Sequence, residues 1–171
     1  VNFYLENETF LKTSGKMACI YAEKGAVVAF YNCKGGSLTA RAEQGACIGS
    51  IANEQSGDIR LNSGSYQCTS KSGAAIGNGA NGGNSGSIEL QGADIVAVSE
   101  SGAGIGGGTG VAVTMQITIS GGTINAKSIY GAGIGSGKNG KSNCNIYIEN
   151  GTIHAYSEYG AGLGASQGCE N

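Results

Sequence analysis

Residues 102–110 read GAGIGGGTG, and residues 131–140 read GAGIGSGKNG. A glycine-rich string of this kind either cradles a phosphate or turns a corner of a repeating coil. A phosphate loop leads from a strand into a helix and closes on Gly-Lys-Ser/Thr, because that lysine and hydroxyl complete the phosphate and magnesium site. Neither string has that ending, and no helical periodicity follows. The string also recurs where one site would need one copy: GACIG from Gly45, GAAIG from Gly73, GAGIG from Gly102 and Gly131, GAGLG from Gly160. The steps are 28, 29, 29 and 29 residues, and Met17-Ala18-Cys19-Ile20 fills the same slot 28 residues before Gly45. Internal repeats of this length signify stacked units.

The segments between the strings repeat as well. One apolar column reads Phe3, Tyr31, Ile59, Ile88, Ile117 and Ile146, and two places on come Leu5, Cys33, Leu61, Leu90, Ile119 and Ile148. Past a Gly or Asn corner come Phe10, Leu38, Tyr66, Ile95, Ile124 and Ile153, then Lys12, Ala40, Cys68, Ala97, Ala126 and Ala155. Inside the string, alanine and Ile or Leu recur, as in Ala103 and Ile105. Residues between columns are mostly polar, the period-two alternation of a strand with one buried face. Both periods are satisfied by an all-β fold: a parallel β-helix, or β-solenoid, with 28–29 residues per turn and about six turns. Successive turns lie about 4.8 Å apart, so the columns become ladders of stacked side chains. The G-A-G-I-G string becomes a short side with Ala and Ile inward. The extra residue of the longer turns falls between the string and the next strand, in loops such as NGANGGNSGS that stack along one edge as a candidate binding face.

Composition agrees. The 171 residues include 33 glycines and no proline, and a strand inside a coil needs its N–H groups for the ladder. The length fits a single domain over residues 1–171. The chain begins at Val1 and reads as a processed product or a segment of a longer surface protein. Ten Lys and Arg against twelve Asp and Glu leave no nucleic-acid footprint. No stretch is long and apolar enough to insert into a membrane.

On these residues the chain resembles right-handed parallel β-helix proteins of the broad pectate-lyase-like architecture. It is similar in style to the GAGIG…ITISGGTI repeats of large bacterial surface proteins. The resemblance spans residues 3–164. It implies the right hand of the coil, a secreted or cell-surface location, and a role as adhesin, carbohydrate-binding module or stalk. Polysaccharide lyases and hydrolases of this architecture cluster carboxylates on one strand face. Here Asp58 and Asp94 are the two aspartates and fall in different columns, which argues against catalysis.

The candidate residues are therefore mostly non-catalytic. Tyr130 and Tyr159 share an outward column, and Tyr147 and Tyr156 point outward in the last full turn. Exposed aromatics on a flat sheet can stack on sugars or fill a protein interface. Glu43, Lys71, Glu100, Ile129 and Glu158 form another outward column, suited to surface ion pairing. His154 points outward without a partner that would make it a metal ligand or base. No metal site and no cofactor are read. Cys19 and Cys47 occupy one slot on adjacent turns, about 4.8 Å apart and within disulfide range. Cys33 and Cys68 read as buried thiols, and a Cys144–Cys169 pair could tie the last turn down.

Both ends of such a coil expose unpaired strands. Lys12, standing in an alanine column, looks cap-like. The expectation is a non-catalytic surface module that binds carbohydrate or another surface ligand. A structural spacer, or a rod assembling end to end, stands as the alternative, and a polysaccharide-active enzyme as a third.

Overall fold

The computed structural model describes residues 1–31, 35–110 and 113–168. The first three rungs each use three strands: β1 (Asn2–Tyr4), β2 (Glu8–Lys12) and β3 (Ile20–Tyr21); β4 (Val27–Tyr31), β5 (Ser37–Arg41) and β6 (Ile48–Gly49); β7 (Asp58–Leu61), β8 (Ser65–Ser70) and β9 (Ile76–Gly77). In the next two, the long walls run together: β10 (Ile88–Ser99) with β11 (Ile105–Gly106), and β12 (Val113–Ser128) with β13 (Ile134–Gly135). The last rung holds β14 (Ser142–Ile148), β15 (Thr152–Ser157) and β16 (Leu163–Gly164). Among the described residues there is no helix, and the ladders between these strands are parallel. The chain is a β-solenoid whose six rungs make about five turns.

The alternation written in the sequence fixes which side chains fill the coil. Strand β8 alternates exposed and buried along its length. Ile59, Ile88 and Ile117 stack on one another, as do Leu61, Leu90 and Ile119, all fully buried. The short wall stacks Ile20, Ile48, Ile76, Ile105, Ile134 and Leu163 in the expected register. Fully burying each such aliphatic side chain is worth roughly 1.5–3 kcal/mol. The glycine string itself bends rather than alternating. Ala46 and Ala74 are buried, yet Cys47 and Ala75, next to the isoleucines, are the members of the main apolar cluster. One place narrows up the coil, from Cys19 and Cys47 through Ala75 to Gly104 and Gly133. At Gly104 the opposite wall is so near that a Cβ would lie 2.8 Å from the Lys127 nitrogen.

Four sequence-derived columns need correction at the first rungs. Thr9, not Phe10, pairs with Leu38, and Leu11, not Lys12, pairs with Ala40. Phe10 is therefore exposed, and Lys12 stands outward beside Arg41 rather than capping the interior. Likewise Val28 and Phe30, not Tyr31 and Cys33, line up with Ile59 and Leu61. Phe3 sits beneath Phe30, with rings stacked 4.9 Å apart, and Phe30 meets Tyr66 edge to face. Tyr31 is exposed, and Cys33 lies outside the described residues. Corner lengths cause both shifts: Leu11 to Ile20 spans nine residues where Ala40 to Ile48 spans eight, and Phe30 to Leu38 spans eight where Leu61 to Tyr66 spans five. Insertions are absorbed in corners, and the wall ladders keep their pairing.

A polar ladder runs beside the apolar ones. Ser70, Ser99 and Ser128 end the second wall and are buried. Their hydroxyls donate to the carbonyls of Gly45, Gly73 and Gly102 on the preceding rung, and Ser157 repeats the bond to Gly131. Ser128 and Ser157 also accept from the N–H of Gly131 and Gly160. Each hydroxyl thus satisfies corner groups that the strand ladder cannot reach.

Candidate functional site

The outward residues at the corner after the second wall form the most developed surface cluster. The corner is set by Ser128 and Ser157, whose bonds to Gly131 and Gly160 fix the backbone from two residues before to one residue after each tyrosine. The Tyr159 N–H donates to the Ile129 carbonyl, and the Tyr130 N–H to the Glu100 carbonyl. That register brings the Tyr130 and Tyr159 rings into a stack, 5.4 Å apart and 13° from parallel. Lys138, on the loop beyond β13, places its Nζ 4.2 Å from the Tyr130 ring centre. Tyr130 is thereby engaged by both a ring and an ammonium, whereas Tyr159 and Tyr156 remain more than half exposed. Glu158 raises the Tyr159 phenol above its ordinary value through its negative charge and a side-chain hydrogen bond, and Tyr130 and Tyr156 add to the effect. Tyr156 stands over Lys127 in the neighbouring column. Tyr147 does not join this group: it belongs to β14, before the Asn150-Gly151 corner, and pairs with Thr118. Three of the four tyrosines expected to bind thus share one face.

A second tyrosine pair escaped the sequence reading. Tyr4 and Tyr31 stack outward, 5.9 Å apart and 27° from parallel. Their 27-residue step departs from the 28–29 period, and counting residues puts Tyr31 in an apolar column. The serine ladder did carry a signal, since Ser70, Ser99, Ser128 and Ser157 recur every 29 residues.

The cysteines gather near the first rungs. Cys19 and Cys47 take adjacent places, as their shared slot implied, and both carry thiols. Cys19 donates to the Arg41 carbonyl, and Cys47 lies against the carbonyls of Ala40 and Thr69. The hydrogen bond with Cys47, then burial, pushes the Cys19 thiol well up. The bond from Cys19 draws Cys47 down, but its bond to Cys68 together with burial outweighs that and pushes it up. Cys68 is fully buried. Cys144 is half-buried beside Met115, and Cys169, offered as its partner, lies outside the described residues.

The charged candidates do not gather into one site. Lys71 Nζ approaches Glu43 Oε1 at 3.9 Å, both side chains well exposed, a geometry worth no more than about 1 kcal/mol. His154 is exposed in the Asn125 column. Asp58 Oδ1 accepts from the Ser87 N–H and hydroxyl, and Asp94 stands in the Ser65–Thr123 column. Among the described residues, no group of three His, Cys, Asp or Glu is placed to hold a metal ion. Along the loop edge, Lys24, Gln55, Asp58, Asn84 and Ser85 line a polar groove of about 360 Å³. An apolar hollow of about 390 Å³ opens at the first rung, lined by Phe3, Leu11, Cys19, Ile20 and Phe30 among others. Such surfaces can stack, hydrogen-bond and cover apolar groups.

Comparison with protein-family models, curated proteins and solved structures finds no match to this chain.

Proposed function

We propose that the protein is a non-catalytic extracellular β-solenoid module that binds carbohydrate, or another surface ligand, on its outer tyrosine face. The supporting observation is the placement of exposed Tyr156 and Tyr159 beside Glu158, with Tyr130 and Lys138 packed behind them. An exposed ring beside a carboxylate offers an apolar face to a sugar ring and an acceptor to its hydroxyls. Stacking between Tyr130 and Tyr159 holds both rings in place before a ligand arrives, which reduces the ordering cost of binding. The finer likeness to right-handed, pectate-lyase-like coils with GAGIG repeats belongs to this reading, as does a secreted or cell-surface location. The test is a glycan-array screen followed by titration of any glycan bound by the wild type. Replacing Tyr156 and Tyr159 with serine should weaken saturable binding at least tenfold. Unchanged affinity removes the tyrosine face from the site, and no bound glycan removes carbohydrate as the ligand.

A further inference from the structure

We propose that the fold singles out Asn150 as a self-modifying site, where the backbone nitrogen of Gly151 displaces the side-chain amide and turns the asparagine into aspartate and isoaspartate. This deamidation runs most readily where the next residue leaves room for attack, and glycine, with no side chain, leaves the most. Asn-Gly occurs four times in the chain: Asn78-Gly79, Asn81-Gly82, Asn139-Gly140 and Asn150-Gly151. The four sit in different surroundings.

Three of them are locked. Asn78 is fully buried, its side-chain amide donates to the Gly83 carbonyl, and its side-chain oxygen accepts from the Ser85 hydroxyl. The N–H of Gly79 donates to the Ser50 hydroxyl oxygen. Asn81 and Asn139 are exposed but hold left-handed backbone, with φ of 53° and 57°. The N–H groups that follow them, of Gly82 and Gly140, close tight turns by donating to the carbonyls of Gly79 and Gly137. In all three pairs the proton of the attacking nitrogen is held by an oxygen other than that of the preceding asparagine.

Asn150 is arranged the other way. It stands at the corner between β14 and β15, and the Gly151 N–H donates to Asn150 Oδ1 at 2.8 Å. That bond lays the nitrogen against the carboxamide it attacks. Asn150 is exposed, so water and base reach it. The exposure belongs to the place in the fold. One rung earlier this place holds Gly121 and two rungs earlier Gln91, and Gln91 is exposed although rungs lie on both sides of it.

The reaction balances with water as the co-reactant. Solvent base takes the Gly151 amide proton, and the nitrogen attacks Asn150 Cγ. The N–Cγ bond forms, the Cγ–Nδ2 bond breaks, and the amide leaves as ammonia with a proton returned by the solvent. Water then opens the resulting five-membered succinimide. Attack at Cγ gives aspartate, and attack at the Asn150 backbone carbonyl carbon gives isoaspartate, with the main chain now running through Cγ. Either product sets a new carboxylate beside Glu149. Isoaspartate also lengthens the main chain by one atom, but at a corner, where added length costs little and the register of β15 is kept. This chemistry is independent of ligand binding at the tyrosine face.

The test is to age the chain in mildly alkaline buffer, once folded and once in denaturant, and to follow each Asn-Gly pair by peptide mass mapping. In the folded chain Asn150 should convert at least tenfold faster than Asn78, Asn81 or Asn139, and isoaspartate should appear at Asn150. In denaturant the four rates should agree within about threefold. Hydroxylamine, which cleaves a succinimide, should cut the folded chain at Asn150-Gly151 and spare the other three pairs. Conversion or cleavage of the folded chain at another pair as fast as at Asn150 overturns the proposal. So does an equal preference for Asn150 in denaturant, which would place the cause in the neighbouring residues and not in the fold.

Discussion

The hydroxyl of Ser128 donates to the carbonyl of Gly102 at 2.7 Å, joining two successive rungs at a corner where the strand ladder is interrupted. The same oxygen accepts the N–H of Gly131 at 2.9 Å. Ser128→Ala removes both bonds in a buried place and leaves two backbone groups unsatisfied. The expected loss is about 1–3 kcal/mol, read from denaturant unfolding. Ser157→Ala, half-buried in the last rung, should cost less. A loss at Ser157 equal to or above that at Ser128 would mean that burial does not set the strength of the ladder.

Gly106 and Gly164 separate a steric effect from a backbone one. Both hold positive φ, 132° and 116°, where an L side chain is disfavoured by roughly 1–3 kcal/mol. A side chain at Gly106 would also strike the Gly135 carbonyl, and one at Gly164 meets nothing within 4 Å among the described residues. Gly106→Ala should therefore lower the melting temperature clearly more than Gly164→Ala. Equal losses would show that the rungs are not as closely spaced at this column as described.

The thiols near the first rungs give the fold an alkaline sensitivity. Cys19 and Cys47 are both held above the ordinary value of 9.0 in the folded chain. The folded state therefore keeps protons that the unfolded chain releases once pH passes that value. Their contribution to stability is complete below the unfolded value and declines as pH rises above it. Melting temperature should fall from about pH 8 to about pH 10 more steeply in the wild type than in Cys47→Ala, under reducing conditions. Parallel slopes would remove the thiols as the cause.

Much of this architecture is legible in the sequence from the third rung onward. There the spacing from Leu61 to Tyr66, Leu90 to Ile95 and Ile119 to Ile124 is constant, so counting residues reproduces the register. The first two rungs resist the same count. A residue added between Leu11 and Ile20, and three between Phe30 and Leu38, move the walls while leaving the glycine string in place. A corner can lengthen at small cost, because loop closure depends weakly on length, whereas slipping a ladder by one residue turns its apolar side outward. Thr9 and Phe10 illustrate the choice: pairing Leu38 with Thr9 exposes Phe10 but keeps Leu11 over Ala40. The tyrosine face was readable as far as the shared column of Tyr130 and Tyr159. The participation of Lys138 was not, because it reaches the ring from a loop whose path is not set by the period.

The central claim is that one register places Ile76, Ile105 and Ile134 inside the coil, and the most direct measurement compares Ile105→Asp with Val96→Asp by thermal unfolding. Both are aliphatic strand residues of the same turn, one fully buried and the other 39% exposed. An unpaired carboxylate is costly to bury and cheap to leave in water. The account predicts loss of cooperative unfolding in Ile105→Asp and a melting curve close to wild type in Val96→Asp. Cooperative melting retained in Ile105→Asp at an undiminished temperature would contradict it.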